Sequence, residues 1–146
     1  MHNPASRPVC ILGLGLIGGS LLRRLHDDGR PAFGYNRSAT TVAAARAAGY
    51  RADTDLTAVL GEAAAADAVL VLATPLFAVA ELLEAIAVTA PDCLVTDVVS
   101  VKEVVSRLVA AHHPGARYVG GHPMAGTAHS GWEATDPELF RGAMWA

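Results

Sequence analysis

The side chains best suited to acid–base chemistry lie in the last third of the chain, in the glycine-rich segment 120–131. Because Pro123 follows it, His122 is expected to favour an extended conformation, and the surrounding glycines allow the backbone to turn tightly. An imidazole titrates near neutral pH, so it can accept or donate a proton during a reaction. The pattern therefore predicts either an acid–base residue at His122 or an ordinary loop histidine.

A serine and a lysine follow an apolar run in the earlier segment 96–102, which reads Thr-Asp-Val-Val-Ser-Val-Lys. Ligands of open α/β sheets bind beyond the carboxyl ends of the strands. Ser100 and His122 both follow predicted strands, and each is therefore a candidate ligand contact. The simpler interpretation of Ser100 is that it caps the next helix.

A glycine pattern near the start of the chain indicates a dinucleotide site. The apolar residues 9–12 run into Gly13, Gly15 and Gly18, after which a helical pattern begins. In a strand–turn–helix context the first glycine permits the tight turn. The second lets the backbone approach a pyrophosphate, and the third lets the helix pack close to the strand. The backbone N–H groups at the helix start, including those of Leu16 and Ile17, would then face the phosphates.

The end of the second predicted strand favours NADP over NAD. Asn36 stands where an acidic residue would bind the ribose of NAD, Arg37 offers a planar cation to a 2′-phosphate, and Ser38 offers a hydroxyl. Ser38 is also a candidate helix cap, and a plain turn with a solvated arginine is the alternative. A weaker cofactor contact is predicted at Thr74 and Pro75, after a later strand, and the alternative for Thr74 is that it only caps the following helix.

The scaffold for these residues is predicted from short apolar runs that alternate with longer Ala-rich helical patterns. Such an alternation indicates a parallel sheet covered on both faces. We therefore predict an α/β fold with a doubly wound, mostly parallel sheet, a Rossmann-type dinucleotide-binding domain over residues 1–146. The predicted strands are residues 9–12, 32–35, 51–52, 68–73, 94–97 and 117–119, and the predicted helices are residues 16–28, 39–48, 56–63, 77–89 and 101–111.

Composition argues against several classes of function. The formal net charge is −3 without a basic tract, so nucleic acid is not an expected partner. No apolar run is long enough to span a membrane, and the N-terminus lacks a signal-peptide pattern. Cys10 and Cys93 stand in apolar runs, which predicts buried free thiols and suits a cytoplasmic location. The six histidines show no metal-ligand spacing, so no metal is expected.

Three motifs together resemble the prephenate/arogenate dehydrogenase family of tyrosine biosynthesis. They are the glycine motif of residues 13–20, the segment 97–102 and the Gly-His-Pro-Met-Ala-Gly segment 121–126. The glycine motif alone is unspecific, whereas the other two are fairly specific in this order and spacing. The resemblance implies an NAD(P)-dependent oxidative decarboxylation of prephenate or arogenate, with loss of CO₂.

The resemblance also implies roles for individual residues. His122 is the implied catalytic acceptor or general base for the substrate hydroxyl. Ser100 is implied to orient that histidine and to contact the hydroxyl or the nicotinamide. Thr127 and Ser130 are implied substrate contacts, and Lys102 either holds the loop or lies in solvent.

The family contains more than this chain does. Its members add an all-helical second domain that forms a homodimer and supplies an arginine for the substrate carboxylate. Ala128 stands where many members have a glutamate, so a gating role at this position is not carried over. We therefore expect the chain alone to bind NADP or NAD with little or no turnover.

Two other classes share part of the pattern. NADP-dependent β-hydroxyacid dehydrogenases and imine reductases also combine the glycine turn with Asn-Arg-Ser or Asn-Arg-Thr. A non-catalytic dinucleotide-sensing domain would need the glycine turn but no acid–base loop. The segment around His122 argues against both classes.

Overall fold

Short apolar runs form a six-stranded sheet in this computed structural model, which describes residues 7–121, 123–124, 131–141 and 144–145. The strands are β1 (Val9–Leu12), β2 (Ala32–Tyr35), β3 (Ala52–Asp53), β4 (Val69–Leu72), β5 (Leu94–Asp97) and β6 (Arg117–Val119). They lie in the order β3-β2-β1-β4-β5-β6, and all neighbouring pairs are parallel. This is the doubly wound arrangement that the sequence predicts.

Helices connect successive strands and cover both faces of the sheet. They are α1 (Leu16–Asp27), α2 (Ala39–Ala47), α3 (Leu56–Ala66), α4 (Leu76–Thr89) and α5 (Lys102–His112). Side chains of α1 and α2 belong to one core cluster, and side chains of α3, α4 and α5 belong to the other. In the described part of the chain, no helix is both long and apolar enough to cross a membrane.

Alternate residues of the central strand β1 enter the two halves of the core. Cys10 and Leu12 pack in the cluster of α3, α4 and α5, whereas Ile11 packs in the cluster of α1 and α2. All three side chains are fully buried. Burial of one such aliphatic side chain contributes about 1.5–3 kcal/mol to folding. The alternation fixes the register of β1 and thereby the position of the glycine turn that follows it.

The two cysteines are free and buried, as the sequence predicts. Burial is the main cause that raises the pKa of both thiols, Cys10 and Cys93, above the ordinary value of 9.0. The thiols therefore stay protonated in the folded protein at neutral pH.

The segment 131–141 folds back onto α1 on the far side of the sheet from α4. Trp132, in a short 3₁₀ helix, is buried and packs against Gly19, where a Cβ would lie 3.0 Å from its ring. The N–H of Asp136 donates to the buried hydroxyl of Ser20 at 2.9 Å. This contact ties the chain beyond β6 to the helix that begins at the glycine turn.

Several element boundaries differ from the sequence prediction by one to three residues. The predicted helix 56–63 extends to Ala66, because alanine favours a helix, and it ends at Asp67 in a left-handed conformation. The predicted helix from 101 begins at Lys102 instead. A short antiparallel pair, β7 (Pro123–Met124) and β8 (Met144–Trp145), was not predicted, since two-residue strands are too short to show a periodic pattern.

Candidate active site at the strand ends

The turn between β1 and α1 requires glycine at two positions. Gly13 has a φ of +115°, and a Cβ there would lie 2.6 Å from the carbonyl oxygen of Ala73. A Cβ on Gly18 would lie 1.8 Å from the carbonyl oxygen of Gly13, so α1 packs directly against the turn. These contacts are what the predicted tight-turn and close-packing roles of Gly13 and Gly18 require.

Gly15 differs from the other two because it borders open space. No described atom lies within 4 Å of a Cβ built on it. Gly15 is the N-cap of α1, no side chain caps this helix end, and the first turn carries no acidic residue. The N–H groups of Leu16 and Ile17 therefore have no acceptor within the helix, and the helix dipole makes this end positive. The arrangement fits a phosphate group.

Asn36 ties the end of β2 to the glycine turn. Its Oδ1 accepts a hydrogen bond from the N–H of Leu14 at 3.0 Å, and this contact fixes which way the amide points. The Nδ2 group is left as a donor for an oxygen of a ribose or a phosphate. An aspartate at this position would instead add a negative charge that repels a phosphate.

Arg37 and Phe77 line a groove of about 390 Å³ beside the glycine turn. The guanidinium carbon of Arg37 lies 5.7 Å from the centroid of the Phe77 ring, and Phe77 is 73% exposed. Ser38 also lines the groove, and its Oγ accepts from the N–H of Thr41 at 3.3 Å as the N-cap of α2. This Arg37–Phe77 groove thus offers a cation, a hydroxyl and an aromatic face to one ligand.

Thr74 connects the Arg37–Phe77 groove to the glycine turn. It lines the groove, and its Cγ2 would lie 2.9 Å from a Cβ on Gly13. The N-cap of α4 is Pro75, so Thr74 does not cap that helix. The Thr74 hydroxyl oxygen is buried and has no hydrogen-bond partner in the described structure. Buried polar atoms nearly always have a partner, so this unpaired hydroxyl fits a ligand contact. The predicted cofactor residues therefore lie together and fit a dinucleotide.

The carboxylate of Asp97, at the end of β5, is fully buried and accepts several hydrogen bonds. The N–H of Val99 donates to Oδ2 at 2.9 Å, and the Tyr118 hydroxyl donates to Oδ1 at 2.6 Å. Lys102 forms an ion pair with Oδ2 and is 35% exposed, so it is bound rather than solvated. Burial, the hydrogen bond to Asp97 and its negative charge raise the pKa of Tyr118. Asp97, Lys102 and Tyr118 are called the Asp97 cluster below.

The predicted contacts of the catalytic region are only partly described. Ser100 lies at an exposed bend, and no described group bonds its hydroxyl. Its interpretation as a helix cap is wrong, because Val101 holds the N-cap position and no side chain caps α5. His122, Thr127 and Ser130 lie outside the described residues, and their roles remain predictions.

Sequence reasoning missed two residues of this region, Phe77 and Tyr118, and gave no role to Asp97. A signal for Asp97 exists in the sequence, since a charged residue ends an apolar strand and a lysine follows five positions later. Burial of an ionised carboxylate requires such a partner. Tyr118 and Phe77 carry no comparable signal, because aromatic residues at these places also suit a core.

A second cavity, of about 480 Å³, lies along the edge strand β3 and apart from the glycine turn. Its charged side chains pair with one another. Arg51 lies 2.7 Å from Glu62, and Arg46 lies 3.7 Å from Asp53. The cavity therefore offers a ligand less unpaired charge than the region around Gly15 and Arg37 does.

Comparison with known sequences points to one family. The family described as "Prephenate dehydrogenase, nucleotide-binding domain" matches residues 19–146. The prephenate dehydrogenase of Lactococcus lactis subsp. cremoris is 32% identical over 146 residues, which cover 95% of this chain and 40% of that protein. The prephenate dehydrogenase of Bacillus subtilis is 33% identical over 151 residues, covering 98% of this chain and 39% of that protein. The chain thus spans about 40% of the length of these curated relatives.

Solved structures share the architecture. A Corynebacterium glutamicum protein assigned as a prephenate dehydrogenase is 54% identical with a TM-score of 0.92, over 97% of this chain and 44% of its own. Prephenate dehydrogenase from Aquifex aeolicus, in complex with hydroxyphenyl propionate and NAD⁺, is 26% identical with a TM-score of 0.77. The match covers 95% of this chain and 49% of the Aquifex chain. Synechocystis arogenate dehydrogenase is 31% identical with a TM-score of 0.76, and the match covers 94% of this chain and 48% of the Synechocystis chain.

More distant enzymes share the fold alone. The imine reductase from Aspergillus terreus, in complex with NADPH4, is 21% identical with a TM-score of 0.65. At this identity the likeness supports the architecture and no shared reaction. The imine-reductase alternative is therefore not favoured.

Proposed function

The chain belongs to the prephenate dehydrogenase family through its nucleotide-binding domain, and we propose that it binds a nicotinamide dinucleotide for the oxidative decarboxylation of prephenate or arogenate. The observation that carries the proposal is the glycine turn, with its open face at Gly15 and the unpaired Thr74 hydroxyl beside it. The names of the relatives support the substrate class, since both prephenate and arogenate dehydrogenases are among them. The proposed pathway is tyrosine biosynthesis.

The cofactor we propose is NADP⁺ in preference to NAD⁺. Its pyrophosphate would lie at the N–H groups of Leu16 and Ile17, and its adenosine in the Arg37–Phe77 groove. The Asn36 amide donor and the Arg37 guanidinium support recognition of a 2′-phosphate. The Aquifex aeolicus relative was solved with NAD⁺, so the family fold itself accepts the cofactor without that phosphate.

A bound nicotinamide supplies the acceptor for the hydride that leaves C4 of the substrate. We assign to His122 the contact with the C4 hydroxyl, where a neutral imidazole accepts the proton of that group and stabilises the developing positive charge. The bond between C1 and the carboxylate then breaks, and CO₂ departs. The electron pair of that bond makes the ring aromatic as a phenolate, which takes the proton back from His122 and becomes the phenol. Ser100 would orient His122, and Thr127 and Ser130 would contact the substrate.

Further groups are proposed to lie in the longer proteins of this family. An arginine of a helical domain would bind the substrate carboxylate, and the same domain would join two copies as a homodimer. The chain spans about 40% of the length of its curated relatives, which leaves room for such a domain in them. We therefore propose that residues 1–146 provide the cofactor half of the site.

The test of this function is a His122→Asn substitution in an enzyme of the relatives' length that carries this chain. NADPH or NADH formation is followed with prephenate and with arogenate. We expect kcat to fall by roughly 10²–10⁴-fold, as for loss of a general base, while dinucleotide affinity stays within about threefold. A near-normal kcat would exclude His122, and no turnover of either substrate by the unsubstituted enzyme would refute the proposed reaction.

A further inference from the structure

The Asp97 cluster has no role in the reaction proposed above, although it places an ionised carboxylate in the interior. Asp97 has 0% side-chain exposure and pairs with Lys102, which comes from the first turn of α5. A buried ion pair contributes little net stability, because the cost of removing both charges from water offsets their attraction. The ion pair therefore matters for the geometry of the groups that it contacts more than for stability.

The cluster holds both polar groups of Gly121. The Gly121 N–H donates to Asp97 Oδ1 at 3.4 Å, and the Gly121 carbonyl oxygen accepts from Lys102 Nζ at 2.5 Å. That carbonyl belongs to the peptide bond that joins Gly121 to His122. The ammonium group thus holds the carbonyl oxygen of the residue that precedes His122.

Close packing restricts the same turn further. A Cβ on Gly120 would lie 3.0 Å from the Tyr118 hydroxyl, and a Cβ on Gly121 would lie 3.2 Å from the Asp97 carbonyl oxygen. Tyr118 comes from β6, Asp97 from β5 and Lys102 from α5. Three elements therefore meet at the two residues that precede His122.

We propose that Asp97, Lys102 and Tyr118 are positioning residues for His122, because together they hold the peptide groups on both sides of Gly121, the residue that precedes the histidine. The Lys102 ammonium has the larger share, since it bonds the carbonyl directly and also neutralises Asp97. The Tyr118 hydroxyl acts through Asp97, by holding the oxygen that accepts the Gly121 N–H. The proposal rests on the proposed function for the task of His122, whereas the fixing of the Gly121 peptide does not depend on it.

The first experiment measures hydrogen exchange of the Gly121 amide by NMR, together with the ring resonances of His122, in the 146-residue chain. In Lys102→Met we expect the Gly121 amide to exchange at least about tenfold faster and the His122 ring signals to shift or broaden. Tyr118→Phe, which removes only the hydroxyl, should give a smaller change of about threefold. The control is Arg107→Met, which removes a cation from an exposed part of α5 and should leave both readouts unchanged.

Loss of Lys102 leaves the Asp97 charge buried without a partner, so the single variant could fail to fold. The double variant Asp97→Asn with Lys102→Met removes both charges and keeps the test decisive, and Lys102→Arg should restore part of the protection. Unchanged Gly121 exchange in the folded double variant would overturn the proposal.

The second experiment separates this inference from the proposed function. In an enzyme of the relatives' length, Lys102→Met should lower kcat at least about tenfold with an unchanged KM for the dinucleotide, and Arg107→Met should not. If the exchange rate responds but His122→Asn leaves kcat near normal, the catalytic assignment is wrong and the fixing of the peptide is supported. If His122→Asn abolishes turnover and Lys102→Met does not lower kcat, the positioning role is refuted.

Discussion

At the scale of single residues, the glycines of the turn differ in whether folding requires them. Folding requires glycine at two of the positions, whereas at Gly15 it does not. Gly13 and Gly18 are glycines for the sake of the chain itself, since a Cβ on either would clash with the backbone. Gly15 has a φ of −75° and open space around it, so the folded chain alone would accept a larger residue there. The space at Gly15 is therefore available to a ligand.

We predict that Gly15→Ala lowers dinucleotide affinity at least tenfold, because its Cβ occupies the space of the phosphates. The free energy of unfolding should change by less than about 1 kcal/mol. The matched control is Gly61→Ala, in the middle of α3 and also without a described atom within 4 Å of its Cβ. That control should gain about 0.5–1 kcal/mol of stability and keep its affinity. Calorimetric titration and urea unfolding measure the two quantities, and equal affinities of both variants would contradict the placement.

Arg37→Ala should weaken NADP⁺ binding by about 10–100-fold, the value of a charge-assisted hydrogen bond to a phosphate. NAD⁺ binding should weaken by no more than about threefold, because NAD⁺ has no 2′-phosphate for the guanidinium to bind. Titration of both cofactors into the variant, the wild type and the exposed control Arg107→Ala checks this. Equal losses for the two cofactors would indicate that Arg37 does not recognise the 2′-phosphate.

The roles of single residues could be predicted from the sequence where backbone geometry alone requires a particular residue type. Gly13 and Gly18 follow from chain geometry, and Ser38 caps its helix as considered from the sequence. The bond between Asn36 and Leu14 was not predictable, because it depends on how two distant turns approach each other. Ser100 was considered as a cap on propensity alone, and the helix starts one residue later than that role requires.

At the scale of elements, helix α1 links two regions of the chain. Its first turn faces the proposed phosphate site, and its second turn carries Gly19 and Ser20, against which the segment 131–141 packs. The apolar periodicity of α1 predicts a buried face, but not which segment covers it. The covering segment lies far along the chain and is irregular, so it carries no periodic signal of its own.

Removal of the Trp132 side chain should destabilise this packing. The ring is 6% exposed, lies 5.6 Å from the Tyr50 ring and has the Arg23 guanidinium 4.8 Å from its centroid. We predict that Trp132→Ala lowers the free energy of unfolding by about 3 kcal/mol. Val88→Ala, at a side chain that is 84% exposed, should change it by less than about 0.5 kcal/mol. Urea unfolding followed by circular dichroism tests both, and similar values would show that the segment adds no stability.

At the scale of the whole molecule, the strand order brings all predicted cofactor residues to one end of the sheet. The alternation of strands and helices predicted a doubly wound parallel sheet, and right-handed crossovers leave few strand orders for such a chain. The pairing of β7 with β8 could not be predicted in this way, because each of these strands has only two residues. The sequence therefore predicted the sheet and the cofactor end, and it did not predict the contacts made after β6.

The buried thiols make the stability of the whole molecule sensitive to alkali. The folded protein keeps Cys10 and Cys93 protonated above pH 9.0, whereas the unfolded chain ionises them there. Their contribution is complete below that pH and is lost as the pH rises, at about 1.4 kcal/mol per pH unit for one such group. Urea unfolding at pH 8 and pH 10 should show the decline, and Cys10→Ala should reduce it. An identical decline in Cys10→Ala would exclude Cys10 as a cause.

The sheet ends on both sides in very short strands, since β3 has two residues and β6 has three. Arg117 and Val119 of β6 are exposed, and the arginine adds charge to that edge. An edge of this length presents few free backbone groups to another strand, and a charged side chain opposes the approach of a second copy. The sheet is therefore a poor template for amyloid-like growth, and concentrated solutions of the chain should resist fibril formation even though its interior is rich in β-branched residues.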